Sequence, residues 1–316
     1  MAKICENICA KNVVILKFFL TLLHEQMRYQ NCAVIMSNRE ILEMLLPAMV
    51  NAAVRAGAAI MQIHGHKDDY DISLKSDKTP ITMADRQAHR VIREALGSTR
   101  IPILSEEGRE MGYEERRNWE LYWLVDPLDG TAEFIEGYNE FTVNIALMEN
   151  NQCVGAVIYV PYFEKIYLAG SGYGASLKEG VVATADAAWS LEQILQGCKS
   201  LPLVEQAPHD HLRVAVSRLH YTPETEAHID ALRQKYPDLE IVEQGSSYKF
   251  CMLAEGTIDY YVRTSRTYEW DTAAGELILS EAGGSTCVMA DGSRLRYNEE
   301  DLSNPWFIGR SRFSPI

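Results

Sequence analysis

Apolar residues recur at Leu42, Leu45, Met49, Ala53, Ala56, Ile60 and Ile63 in the stretch that follows Met36, SNREILEMLLPAMVNAAVRAGAAIMQIH. Steps of three and four predict a long amphipathic helix, and Ser37 with Glu40 has the form of a capping box at its start. A second helix is expected from Thr82 to Leu96. The rhythm then changes to short strand-like runs at Leu121–Val125, Phe141–Met148, Val154–Val160 and Lys165–Ala169, ordered as a meander rather than as βαβ units. Residues 170–211 carry little pattern beyond a short helix near Leu191. After them, strand and helix alternate: Leu212–Val216, Pro223–Lys235, Ile241–Val242, Ser247–Glu255, Tyr260–Val262 and Thr272–Glu281. The expected architecture is an α+β half followed by an α/β half, with divisions at 1–35, 36–185 and 186–316.

Residues 1–35 read as an N-terminal extension or a mis-set start. Their apolar run Val13–Leu23 spans eleven residues and includes Lys17, too short to cross a bilayer. A signal-peptide core stays open there, although no small-x-small cleavage site follows.

Composition narrows the partners. The chain has 316 residues, 47% hydrophobic and 23% charged, which is ordinary for a globular protein. A net charge of −14 argues against nucleic-acid polymers and anionic membranes as partners. Seven scattered cysteines without a CxxC pair read as reduced thiols, hence a cytoplasmic protein, with weak peripheral membrane association left open.

The chemistry concentrates in YWLVDPLDGTAEF, where Asp126 and Asp129 sit three apart at a strand end. Pro127 and Gly130 turn the chain, so both carboxylates are expected in one small volume, where they repel. A hard cation such as Mg²⁺ relieves that repulsion, and the Leu128 carbonyl is available to the same ion. The amides of Gly130 and Thr131, at the start of a short helix, suit a phosphate oxygen. A plain Asp-Pro turn, with Asp129 as a helix cap, uses the same residues. Glu106 and Glu107 follow another apolar stretch, and Asp271 opens a later helix. Singly these are a solvated loop and an N-cap, and Asp85 is the third residue of a capping box begun by Thr82. Together they are the acidic set that a site with two or more metal ions needs.

The three pieces LSEEG, WLVDPLDGTAEF and WDTAAG…EAGG, in this order, resemble the inositol monophosphatase superfamily of Mg²⁺-dependent, lithium-sensitive phosphatases. The resemblance runs from Met36 to the C-terminus. SRLH (Ser217–His220) and GSSYKFCMLAEG (Gly245–Gly256) are similar, within it, to the 3'(2'),5'-bisphosphate nucleotidases of the CysQ type, enzymes of sulfur assimilation. The resemblance implies a layered αβαβα sandwich that hydrolyses adenosine 3',5'-bisphosphate to AMP and phosphate. It implies that Glu106, Asp126 and the Leu128 carbonyl hold one Mg²⁺, and that Asp126, Asp129 and Asp271 hold a second. Thr131 and Asp85 would then orient and deprotonate a water, assisted by Glu107. Glu106, Leu128, Asp129, Gly130, Thr131 and Asp271 would meet the reacting phosphate. Ser217, Arg218, Ser246 and Lys249 would receive the adenosine and 5'-phosphate end. The implied partner is thus a small nucleotide bisphosphate.

Alternatives remain open at this point. An inositol monophosphatase would share the metals and differ in the alcohol. A haloacid-dehalogenase-type phosphatase would require DxDGT, and here two residues separate the aspartates. A non-catalytic nucleotide or metal sensor is the reading from another class. His64, His66, His209 and His211 lack zinc-ligand spacing and read as surface loops. Lys249 reads either as a ligand or as a solvated helix residue. The segment RTSRTYEW before Asp271 brings basic and aromatic residues that are expected to affect substrate preference.

Overall fold

The alternating runs after Leu121 become, in the computed structural model, one antiparallel meander. The structure describes residues 38–75, 79–205 and 211–316; Ser37, His209 and the Val13–Leu23 run lie outside them. Helix α1 (Asn38–Ile63) is followed by β1 (Ser73–Leu74), β2 (Pro80–Ile81), α2 (Met83–Gly97), β3 (Ile103–Ser105), α3 (Tyr113–Arg116) and β4 (Leu121–Asp129). Next come α4 (Thr131–Glu136), β5 (Thr142–Glu149), β6 (Gln152–Val160), β7 (Lys165–Gly170), β8 (Gly174–Glu179), α5 (Leu191–Leu195) and β9 (Lys199–Ser200). The second half runs β10 (Leu212–Ser217), α6 (Pro223–Lys235), β11 (Leu239–Gln244), α7 (Tyr248–Glu255), β12 (Tyr260–Arg263), α8 (Glu269–Glu281), β13 (Ser285–Val288) and β14 (Phe307–Arg310). The chain divides into Met1–Ile41 and a second unit, Leu42–Ile316.

Strands β3 to β9 lie side by side in chain order in a seven-stranded sheet, and the order β11-β10-β12-β14-β13 makes a five-stranded one. In the first sheet β3 pairs parallel to β4 and the rest is antiparallel. In the second, β10, β11 and β12 run parallel, and β14 returns antiparallel. Helices α7 and α8 fill the space between the sheets, because the YKFCMLAE and TAAGELIL runs bury residues on more than one face. Leu104, Tyr122, Ile158 and Tyr167 of the first sheet share one core with Phe250, Leu253, Ile278, Tyr261 and Phe307. Helix α1 covers the outer face of the first sheet, where Gly57 abuts Tyr159, and Gly155 and Gly170 abut Leu42. Ile229 of α6 packs on Val214, Val216 and Val262 beyond the second sheet. The result is the αβαβα layering expected. Strands β1, β2, β3, β8, β9, β13 and β14 and helix α3 were not anticipated. Segment Glu40–Ile63 is long and apolar enough to cross a membrane, yet 61% of its most apolar window is buried within the fold, as a core-facing helix requires.

The two central helices meet at Gly275, where a Cβ atom would lie 2.6 Å from the Phe250 ring. Any side chain there must push α7 away from α8, and overpacking of this kind costs about 1–3 kcal/mol. Gly275→Ala is therefore expected to lower the urea midpoint of unfolding by that amount of stability, with the slope unchanged.

Candidate active site

Parity governs how β4 presents its aspartates. Residues three apart on a regular strand face opposite sides. Here Asp126 pairs with Asn144 and Asp129 pairs with Thr142, so three steps on β4 match two on β5 and a bulge absorbs the extra residue. The bulge contains Pro127, which has no ladder hydrogen to give. Asp126 and Asp129 thereby reach the same face. Strand β4 consequently continues to Asp129, rather than ending at Val125, and the turn comes at Gly130. Gly130 is left-handed, with φ of 92°, and a Cβ there would press on the Glu140 carbonyl at 3.0 Å and on Ser246.

Carboxylate oxygens of Asp126, Asp129 and Asp271 all lie within 4.8 Å of one another. Each side chain is held by a backbone amide. The Leu128 amide donates to Asp126 Oδ1 at 3.0 Å, the Ser247 amide donates to Asp129 Oδ2, and the Tyr268 amide donates to Asp271 Oδ2 at 2.9 Å. This last bond closes a capping box, so Asp271 is the third residue of α8 rather than its N-cap. Burial, reinforced by the charges of Glu106, Asp129 and Asp271, pushes Asp126 well above the usual carboxylate range. Burial followed by Asp129 and Glu106 does the same to Asp271. Hard oxygen donors, one buried and two half-buried, and mutually repelling, fit a divalent cation with oxygen preference.

Glu106 and Glu107 are not a solvated loop. Lys75 lies 2.6 Å from Glu106 Oε1 and 2.5 Å from Glu107 Oε1, bridging the two. Burial and the Glu106 charge push the Glu107 carboxyl up to about 7 against the pull of Lys75. Lys75 was missed at the sequence level, since the KSDKT stretch around it carries no distinguishing pattern.

Both readings of Asp85 hold at once. Its Oδ2 accepts from the Thr82 amide at 2.7 Å and from the Thr82 hydroxyl at 2.5 Å, completing the capping box of α2. Its Oδ1 accepts from the Thr131 hydroxyl at 2.8 Å. That hydroxyl also lies 3.2 Å from the Leu128 carbonyl. Asp85 is fully buried, and burial raises its carboxyl although three hydrogen bonds oppose the shift.

A cleft opens at this acidic set, lined by Glu106, Asp126, Leu128, Asp129, Gly130, Thr131 and Asp271, and also by Ser217, His220, Ser246, Lys249, Arg263 and Arg266. Lys249 is buried, not solvated. Its ammonium donates to the carbonyls of Gln244 at 2.9 Å and Ser246 at 2.7 Å. Those bonds hold the turn in which Ser246 adopts a φ of 51°. Burial, then the Arg263 charge, brings Lys249 down to about 8. Arg218 is held elsewhere: it donates to Glu140 at 2.7 Å and to the Glu243 carbonyl at 2.7 Å, stacks over Tyr138, and does not line the cleft. Glu133, buried on α4 beside Gly245, and Ser247 were missed. Ser247 is fixed by Thr142 and Asn144, each at 2.8 Å. Those two polar residues at alternate positions of the apolar run FTVNIALM were an available signal. His64 is no surface residue either; it packs among Phe134, Phe141 and Tyr162, 5.0–5.7 Å from their rings. His211 faces Glu240 at 3.2 Å.

Comparisons with known proteins agree with this geometry. Residues 41–309 match the inositol monophosphatase family. The 3'(2'),5'-bisphosphate nucleotidase CysQ of Buchnera aphidicola is 37% identical over 256 residues, covering 80% of this chain and 88% of that protein. Its Escherichia coli K12 counterpart is 35% identical over 266 residues, covering 83% and 98%. The crystal structure of CysQ from Bacteroides thetaiotaomicron superposes with a TM-score of 0.76 at 44% identity, over 84% of this chain and 96% of that one. The chain belongs to the inositol monophosphatase family.

Proposed function

We propose that this protein is a Mg²⁺-dependent 3'(2'),5'-bisphosphate nucleotidase that releases the 3'-phosphate of adenosine 3',5'-bisphosphate and leaves AMP. The observation that carries the reading is the convergence of Asp126, Asp129 and Asp271 beside the Thr131–Asp85 hydrogen bond, in a cleft also lined by Lys249, Arg263 and Arg266. Relatives that bear this name along nearly their whole length support the choice of substrate.

The residues divide the work. Glu106, Asp126, the Leu128 carbonyl, Asp129 and Asp271 would hold two or more Mg²⁺ ions, which supply an acidified water and a counter-charge for the departing ribose oxygen. Thr131 gives its own proton toward Asp85, so its oxygen lone pairs face the cleft and accept a proton from the attacking water. The proton passed on by Thr131 arrives at Asp85 Oδ1, where burial makes the carboxylate a stronger base than in solvent. Glu107 and Lys75 set the charge beside Glu106. Lys249 and Ser246 form the wall facing the nucleoside and its 5'-phosphate, and Ser217 completes it. No phosphorylated side chain is needed, which is consistent with the two-residue gap between the aspartates. We place the protein in the cytoplasm; among the described residues Cys153, Cys198, Cys251 and Cys287 are unpaired.

Phosphate release from adenosine 3',5'-bisphosphate and from inositol 1-phosphate, each with Mg²⁺ and with EDTA, tests the reading. Preference for the nucleotide, abolished by EDTA, is expected. Preference for the inositol ester would keep the metal chemistry and remove the roles given to Lys249 and Ser246. Thr131→Val and Asp85→Asn are each expected to lower kcat by about 10²–10⁴-fold, the usual contribution of a positioned acid or base. A loss confined to KM would refute the relay. Lys249 adds a dependence on pH. The folded protein releases this proton near pH 8, against an ordinary value of 10.5. Its charge therefore costs stability below pH 8, and the cost fades as pH rises toward 10.5. Substrate attraction follows the opposite course, so KM is expected to climb above about pH 8 in the wild type and to stay flat in Lys249→Met.

A further inference from the structure

Arg263 and Arg266 both line the cleft, the first buried and the second exposed. Arg263 is only 9% exposed, its Nε finds no acceptor, and no carboxylate lies within 4.0 Å of it among the described residues. Asp271 and Glu133 act on this guanidinium only through space, without a direct ion pair, and a buried guanidinium so placed gains from an anion that contacts it directly. One of its Nη2 hydrogens goes to the Arg266 carbonyl at 3.2 Å, which ties the next turn of chain to the cleft wall.

Arg266 is exposed, yet its guanidinium has a fixed seat. Its central carbon lies 4.7 Å above the Tyr268 ring, and that ring stacks on Trp270 at 5.1 Å and 18°. Asn304 pins the loop on both sides, its amide donating to the Thr267 carbonyl at 2.8 Å and its Nδ2 to the Tyr268 carbonyl at 2.6 Å. Asp301, the acidic group that senses Arg266, already accepts from the Ser303 amide at 2.9 Å and hydroxyl at 2.7 Å. A planar donor fork stacked on an aromatic platform, with no carboxylate within 4.0 Å among the described residues, is suited to take phosphate-like oxygens in pairs.

We infer that Arg266 is a specificity-determining residue for the outer end of the cleft, where it takes a second anionic group beyond the one facing Lys249 and Arg263. The ligand class is a 3'-phosphorylated nucleotide whose 5' end carries two anionic centres, a 5'-diphosphate or a 5'-phosphosulfate. The inference rests on the proposed function, because the 3'-phosphate must occupy the acidic end for the 5' end to reach Arg266.

The test compares wild type, Arg266→Gln and Arg266→Lys on adenosine 3',5'-bisphosphate and on adenosine 3'-phosphate 5'-diphosphate, reading kcat and KM for release of the 3'-phosphate. Arg266→Gln is expected to raise KM for the diphosphate about tenfold more than for the bisphosphate, the ratio equivalent to one charge-assisted contact. Arg266→Lys should restore part of that ratio, and added salt should shrink it in the wild type. KM values that move equally for both substrates, or not at all, would overturn the inference while leaving the proposed function intact. So would a loss of kcat common to both. Turnover of neither nucleotide by the wild type, with release from inositol 1-phosphate, would bring down the proposed function and this inference with it.

Discussion

Backbone amides decide where the four aspartates of the site point. Thr82, Leu128, Ser247 and Tyr268 each donate an N–H to one oxygen of Asp85, Asp126, Asp129 and Asp271 respectively. One oxygen of each side chain thus belongs to the fold, and the other is left for the cleft. A buried carboxylate is tolerable only with such partners, and three of them crowded together remain repulsive even so. The arrangement holds its charges in place and leaves their mutual repulsion for a cation to relieve.

The two sheets contribute unequally. The first supplies Asp126 and Asp129 through the bulge in β4, together with Thr142 and Asn144 on β5, which brace Ser247. The second supplies the β11–α7 turn and the β12–α8 loop, hence Lys249, Arg263 and the approach to Asp271. Helices α7 and α8, packed between the sheets, lock these two sets of loops to a common frame, and Gly275 sets how closely the helices approach. Acidic and cationic side chains therefore reach the cleft from both sheets and from the helices between them. A substrate that carries more than one phosphate-like group is matched by that mixture.

Much of this was legible in the chain, and the reasons for the gaps are physical. Helices α1, α2, α6, α7 and α8 carry strong periodicity or clear caps, and strands β5, β6 and β7 are long apolar runs. Strands β13 and β14 are four residues each and owe their pairing to the rest of the second sheet rather than to local pattern. Asp126, Asp129 and Asp271 stood out because acidic residues at the edges of apolar elements are uncommon. Lys75 could not stand out, since its partners lie about thirty residues away in a different loop. Arg218 looked like a ligand because the SRLH stretch resembles that of bisphosphate nucleotidases, but the pull of Glu140 and Glu243 directs it elsewhere. For Asp85, cap and catalytic partner were weighed as rivals, and the side chain has an oxygen for each.

That shared ownership of Asp85 has a dynamic consequence. Any proton that arrives at Oδ1 neutralises the carboxylate as a whole, and Oδ2 then becomes a weaker acceptor for the Thr82 amide and hydroxyl. A cap of this kind is worth about 0.5–2 kcal/mol, so the first turn of α2 would slacken each time the proton resides there and tighten when it leaves. Turnover and the breathing of one helix end would then share a clock, and amide exchange at Thr82 and Ala84 would quicken during steady-state catalysis.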